Sequence, residues 1–97
     1  MTTPTELPQV RHVPETHRFE MLAEGHTAEL TYRLRGSTIT FIHTGVPSEI
    51  EGRGIGSQLA RAALEYAREN SFKVVSTCWF VTGYIERHKE YQPLLKA

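Results

Sequence analysis

The periodicity of apolar residues changes once along this chain, and it changes at a run of glycines. From Thr27 to Leu34 the residues alternate, with Ala28, Leu30, Tyr32 and Leu34 set against Thr27, Glu29, Thr31 and Arg33. A period of two is the pattern of a strand with one buried face. After the glycines, Ile55, Leu59, Ala62, Ala63, Tyr66 and Ala67 recur at three and four. That spacing predicts an amphipathic helix of about four turns. Between the two patterns lies Gly52-Arg53-Gly54-Ile55-Gly56. Strand, glycine turn and helix must then pack as an α/β (α+β) unit, with the turn at the end of the strand. Such a turn leaves backbone N–H groups free at a helix start, where the helix dipole favours negative charge. In physical terms this is a phosphate cradle.

The rest of the chain extends this frame. Residues 1–9 read as a tail, Val10 to Val13 as a short strand closed by Pro14, and Arg18 to Ala23 as a longer one. Glu24-Gly25-His26 and Arg35-Gly36-Ser37 are turn signals, which makes the first half an antiparallel meander. Thr38 to Val46 is the next strand, with Ile39, Phe41 and His43 assigned to one face and Thr40, Ile42 and Thr44 to the other. Asn70 suits the left-handed position at the end of the helix. Phe72 to Phe80 reads as a strand buried on both faces, which puts Trp79 in the core. A second helix is expected from Val81 to His88, closed by Gln92-Pro93, with Leu94 and Leu95 packing back. The link from strand 38–46 through the helix to strand 72–80 is long enough for a parallel crossover, so the sheet is mixed. In open α/β sheets ligands bind at the carboxyl ends of the strands, which is where the glycine turn falls.

Composition excludes several classes. With 97 residues the chain has room for one small domain, residues 1–97. Eleven basic and eleven acidic residues cancel, and no basic run exists, which argues against a nucleic-acid partner. The single cysteine, Cys78, cannot form an intrachain disulfide. The first eight residues lack the basic and apolar regions of a signal peptide, and no apolar stretch reaches the ~20 residues of a membrane span. A cytoplasmic monomer or weak homodimer is expected. The histidines at 12, 17, 26, 43 and 88 show no ligand spacing, so no metal is expected.

A Walker loop requires Gly-Lys-Ser/Thr, which is absent, and a dinucleotide fingerprint requires Gly-x-Gly-x-x-Gly near the start of a parallel sheet. Glu51-Gly52-Arg53-Gly54-Ile55-Gly56 instead resembles motif A of the GCN5-related N-acetyltransferases, Gln/Arg-x-x-Gly-x-Gly/Ala, with Glu51 where Gln or Arg is usual. His43-Thr44-x-Val46-Pro47, Gly52-x-Gly54-Ile55, Thr77-Cys78-Trp79-Phe80 and Tyr84, in that order, resemble the small YjdJ-type, NATD1-like branch of that superfamily over residues 17–95. The resemblance implies a minimal version of the fold, without its usual early helices and last strands. It also implies acetyl-CoA as co-substrate and an amine acceptor. The cofactor loop would run from Glu51 through Gly52, Arg53, Gly54, Ile55 and Gly56 to Ser57, with the pyrophosphate on backbone N–H groups from Arg53 onward and charge added by Arg53. The pantetheine arm would pair with His43, Thr44, Gly45 and Val46, and the thioester would lie near Thr44, Val46 and Cys78.

Acetyl transfer to an amine needs a neutral nucleophile, a stabilised oxyanion and a proton for the departing thiolate. The Val46 N–H is the expected oxyanion donor, because Pro47 has none. Cys78 is a candidate nucleophile or proton donor, against the plainer role of a small buried hydrophobe. His43 is the candidate base, against a structural strand histidine. Tyr84 and Tyr91 are rival acids, against simple core packing. A non-catalytic acyl-CoA-binding module is the alternative from a different functional class.

Overall fold

The alternation in the first half builds four consecutive strands: β1 (Val10–Val13), β2 (Arg18–Ala23), β3 (His26–Arg35) and β4 (Thr38–Gly45). The computed structural model describes residues 9–96, so the expected tail falls almost wholly outside the described residues. Helix α1 (Ile55–Glu69), strand β5 (Lys73–Ser76) and helix α2 (Trp79–Arg87) follow. The sheet order is β1-β2-β3-β4-β5; the first four strands are antiparallel and β5 runs parallel to β4. This is the mixed sheet with one late crossover that the period change requires. No described helix is long and apolar enough to cross a membrane.

One face of the sheet carries the core. Phe19, Met21, Ala28, Leu30, Tyr32, Ile39 and Phe41 are buried there, and Leu59, Ala60, Ala63, Leu64 and Ala67 of α1 join the same cluster. The opposite face holds charge. Glu20 and Glu29 stand directly across from each other on β2 and β3, an arrangement that like charges disfavour. Arg18 reaches both, at 3.4 Å and 2.6 Å, and so offsets the repulsion.

A bulge in β4 sets the geometry of the later site. Tyr32 pairs with Phe41 but Thr31 pairs with His43, which leaves Ile42 as an extra residue. An extra residue reverses the alternation beyond it. His43 therefore faces away from the core instead of following Ile39 and Phe41, and Thr44, opposite the buried Leu30, takes the core side.

The end of α1 is also shifted by one position from expectation. Ser71, not Asn70, takes the left-handed conformation, with φ 58°. The Phe72 N–H donates to the Ala67 carbonyl at 2.9 Å and the Ser71 N–H to Arg68 at 3.2 Å, closing the helix in a Schellman motif. Phe72 then meets Tyr66 edge-on, the hydrophobic contact that accompanies such an ending.

The expected strand from Phe72 to Phe80 is not formed as such. β5 stops at Ser76, only Val74 within it is buried, and Trp79 and Phe80 begin α2. An apolar run of this length suits a strand or a helix start equally. Hydroxyls decide between them: Ser76 Oγ donates to the Cys78 carbonyl at 3.0 Å and bonds Thr82 Oγ1 at 2.8 Å, while Thr77 Oγ1 donates to the Phe41 carbonyl. The two Ser76 bonds are local and turn the chain toward α2, while the Thr77 bond to β4 is its last tie to the sheet. Val81, Tyr84 and Ile85 then form the buried stripe of α2. At the C-terminal end Leu95 makes a parallel bridge to Val74 and stays part-exposed, while Leu94 packs on the core.

Candidate functional site

The last backbone bond between β4 and β5 runs from the Thr77 N–H to the Phe41 carbonyl, at 3.0 Å. Beyond it β5 turns away, while β4 continues to Gly45 against β3 alone. A wedge opens between the two strands at their carboxyl ends. The wedge leads to a cavity of about 510 Å³, walled by residues 44–46 of β4 and its exit, by the glycine loop, and by Trp79 and Phe80. That volume falls in the range of small-molecule sites.

The floor of the cavity is the start of α1. Gly54 is its N-cap, with φ 73°, and Gly52 has φ 82°. Both lie in the left-handed region, where a side chain strains the backbone, although a Cβ at either would touch nothing. Gly56 serves a different purpose. A Cβ there would stand 2.8 Å from Cζ of Phe80, so glycine lets the first turn of α1 meet the first turn of α2. No side chain caps α1 and no acidic residue lies in its first turn. Its leading N–H groups thus face the cavity region with the positive end of the helix dipole and without a side-chain acceptor.

Charge around the loop is arranged differently from expectation. Arg53 does not line the cavity. Its guanidinium donates to both carboxylate oxygens of Glu24 in the β2–β3 turn, at 2.5 Å and 3.2 Å. That pairing holds the Glu24 carboxyl below its ordinary pKa and raises that of Arg53. Glu51 is the one charged residue among those lining the cavity.

Residues 18–94 match the family described as GCN5-related N-acetyltransferase. The chain belongs to this family. Proteins named NATD1 are similar over most of its length: the chicken protein is 35% identical across 82% of this chain and 76% of its own. The human protein is 34% identical across 82% and 74%. The solution structure of a GCN5-like protein from Staphylococcus aureus superposes with a TM-score of 0.71 at 32% identity, covering 92% of this chain and 88% of that one. The fold is therefore that of the acetyltransferase family.

Within this family framework the expected site residues fall into two groups. Cys78 is buried at the N-cap of α2, and its Sγ lies 3.5 Å from Thr44 Oγ1, directly behind the cavity wall. The β4 bulge makes this contact possible by turning Thr44 inward. His43 is exposed, and its ring folds over Gly45, with Nε2 3.1 Å from where a Gly45 Cβ would stand. Thr44, Gly45, Val46, Glu51, Gly52, Gly54, Ile55, Gly56 and Ser57 all line the cavity. The structure does not bring Tyr84 and Tyr91 to it. Tyr84 stacks on His88 at 3.9 Å, and burial raises its pKa. The Tyr91 hydroxyl donates to Glu65 Oε2 at 2.6 Å, and burial together with that bond pushes its pKa up to about 12.

Trp79 and Phe80, expected in a buried strand, instead wall the cavity, and Glu24, marked by the sequence only as a turn residue, holds Arg53. Trp79 was expected in the core and is instead 84% exposed. The start of α2 at Trp79, two residues before the expected Val81, is what takes the indole out of the sheet. Among the described residues no three His, Cys, Asp or Glu side chains come together as metal ligands.

Proposed function

We propose that this protein transfers the acetyl group of acetyl-CoA to an amine. One arrangement carries the reading: an uncapped helix start and an open strand edge meet at the same cavity. In this reading the diphosphate lies on the N–H groups from Arg53 to Ser57. Backbone geometry, not side-chain charge, holds it there, because Arg53 is paired with Glu24 and Glu51 is negative. The pantetheine arm follows His43, Thr44, Gly45 and Val46 as a short added strand, which brings the thioester toward Thr44, Val46 and Cys78.

An alkylamine such as lysine, with a pKa of ~10.4, reaches the site charged and loses a proton before it attacks. His43, exposed at the strand end, is the base in this proposal. The amine nitrogen adds to the thioester carbonyl, and the Val46 N–H stabilises the charge on oxygen. The C–S bond then breaks and the leaving thiolate takes a proton. We assign that proton to Cys78, which lies 3.5 Å behind the lining residue Thr44, and the proton that the nitrogen sheds as the amide forms returns to the Cys78 sulfur. A covalent variant uses the same thiol earlier. The Cys78 thiol attacks the thioester carbonyl and its proton passes to the departing CoA thiolate; the neutral amine then takes the acetyl group from Cys78, and the proton it sheds restores the thiol.

The test is free-thiol release from acetyl-CoA across a panel of amines, with intact mass followed in parallel. An adduct of about 42 Da that disappears in Cys78→Ala supports the covalent variant. Turnover without any adduct supports direct transfer. A second reading, a non-catalytic acyl-CoA-binding module, has an observation of its own: no histidine or tyrosine lines the cavity. Binding of acetyl-CoA with no turnover on any amine would favour that module over the enzyme.

A further inference from the structure

Trp79 is the residue in the cavity that the reaction so far leaves unused. It is the only tryptophan in the chain and is 84% exposed. It opens α2 directly after Cys78 and meets Phe80 edge-on, with ring centroids 5.9 Å apart. Phe80 is itself seated on Gly56. The indole is thus held at the cavity by its neighbour while most of its surface stays in water. A large aromatic left bare contributes nothing to the core, and contiguous apolar surface at a pocket is where ligands bind.

The chemistry of the wall says which ligand. The cavity carries one formal charge, the carboxylate of Glu51, and no cationic side chain. The exposed indole face suits a cation through cation–π attraction, and no cationic side chain lines the cavity to repel one. Building on the acetyl-transfer reading, we infer that Trp79 is the platform for the acceptor: an alkylammonium group docks against the indole, one residue from Cys78, before it loses its proton and attacks. The structural role is small, because the side chain is exposed, so its removal leaves the fold in place.

Emission from Trp79 reports its own coverage. The full chain is saturated with CoA, with binding followed by calorimetry. A lysine peptide with blocked ends is then added in one arm, and spermidine in another. The expected result is an unchanged emission with CoA and a saturable shift or quench with one of the amines; which amine responds separates a peptide source from a free polyamine. A shift produced by CoA or ADP alone assigns the indole to the nucleotide and overturns the inference. Emission that depends on protein concentration assigns it to a second copy and overturns it, as does silence toward both amines. Failure of CoA to bind removes the acetyl-transfer reading and this one with it, whereas CoA binding with a silent indole removes this one alone. In steady state, Trp79→Ala is expected to raise the KM for the responding amine about 2- to 30-fold with the thermal midpoint unchanged, and Trp79→Phe to recover part of the loss. An unaltered amine KM in Trp79→Ala contradicts the platform.

Discussion

Replacing Gly56 with alanine tests the packing that closes the candidate site. On propensity alone the change is favourable, because alanine is preferred over glycine in a helix by about 1 kcal/mol. Against this stands Phe80. An added Cβ would lie 2.8, 3.1 and 3.4 Å from three atoms of its ring. These distances are too short for carbon contacts, so the ring must retreat by several tenths of an ångström. Phe80 is only half-buried and has room to move on one side, but Trp79 rests against it edge-on. Overpacking of this kind costs about 1–3 kcal/mol. The clash therefore wins, and the expected net loss is about 1 kcal/mol, or about 4–8 °C in thermal midpoint for a chain of this size. Thermal denaturation of Gly56→Ala, Phe80→Ala and the double variant reads the coupling directly. Gly56→Ala should be tolerated, or stabilising, once the ring is gone, with a coupling energy of about 1–2 kcal/mol. Strictly additive effects, or a Gly56→Ala protein more stable than the parent, would refute the close approach of the two helices.

Three further outcomes follow from other parts of the fold. His12 stacks on Phe19 at 4.3 Å and bonds the Tyr32 hydroxyl at 2.6 Å, and burial lowers its pKa below 6.5. The folded state then binds fewer protons than the unfolded one, so this contribution is intact above pH 6.5 and is lost as pH falls below it. Urea midpoints taken at falling pH should show a slope that shrinks in His12→Gln, and an identical slope would sink the assignment. Tyr91→Phe removes the bond to Glu65 and is expected to cost about 1–2 kcal/mol of stability, read by chemical denaturation; a neutral effect would mean the pair is not formed. Gly54→Ala should weaken CoA binding and lower stability by about 1 kcal/mol through the left-handed backbone alone, and Gly54→Asn should recover much of both; equal losses in the two variants would point to space instead of φ.

Most of the sheet was legible because its signals are local. Alternation in β2, β3 and β4, with short turns between them, leaves little choice about pairing, and the glycine loop with the stripe of α1 fixes the crossover. What stayed hidden depends on contacts across the chain. The β4 bulge is invisible in an apolar pattern, since Ile42 fits the alternation as well as any residue, yet it exchanges the faces of His43 and Thr44. The early end of β5 goes with the Ser76 hydroxyl bonds to the Cys78 carbonyl and Thr82, which a hydrophobic run does not reveal. In the site, the loop glycines could be read directly, although Gly56 turned out to serve packing and not backbone freedom. Arg53 could not be read, because its partner Glu24 comes from a distant turn.

On the proposed function, the N-terminus of α1 and the exit of β4 together form the acetyl-CoA site. Amide chemical shifts followed during titration with acetyl-CoA test it most directly. Saturable shifts are expected at Gly54, Ile55, Gly56 and Ser57 and along residues 43–46, with Cys78 moving and β1 and β2 silent. Shifts confined to other surfaces, or none at saturating acetyl-CoA, would contradict it.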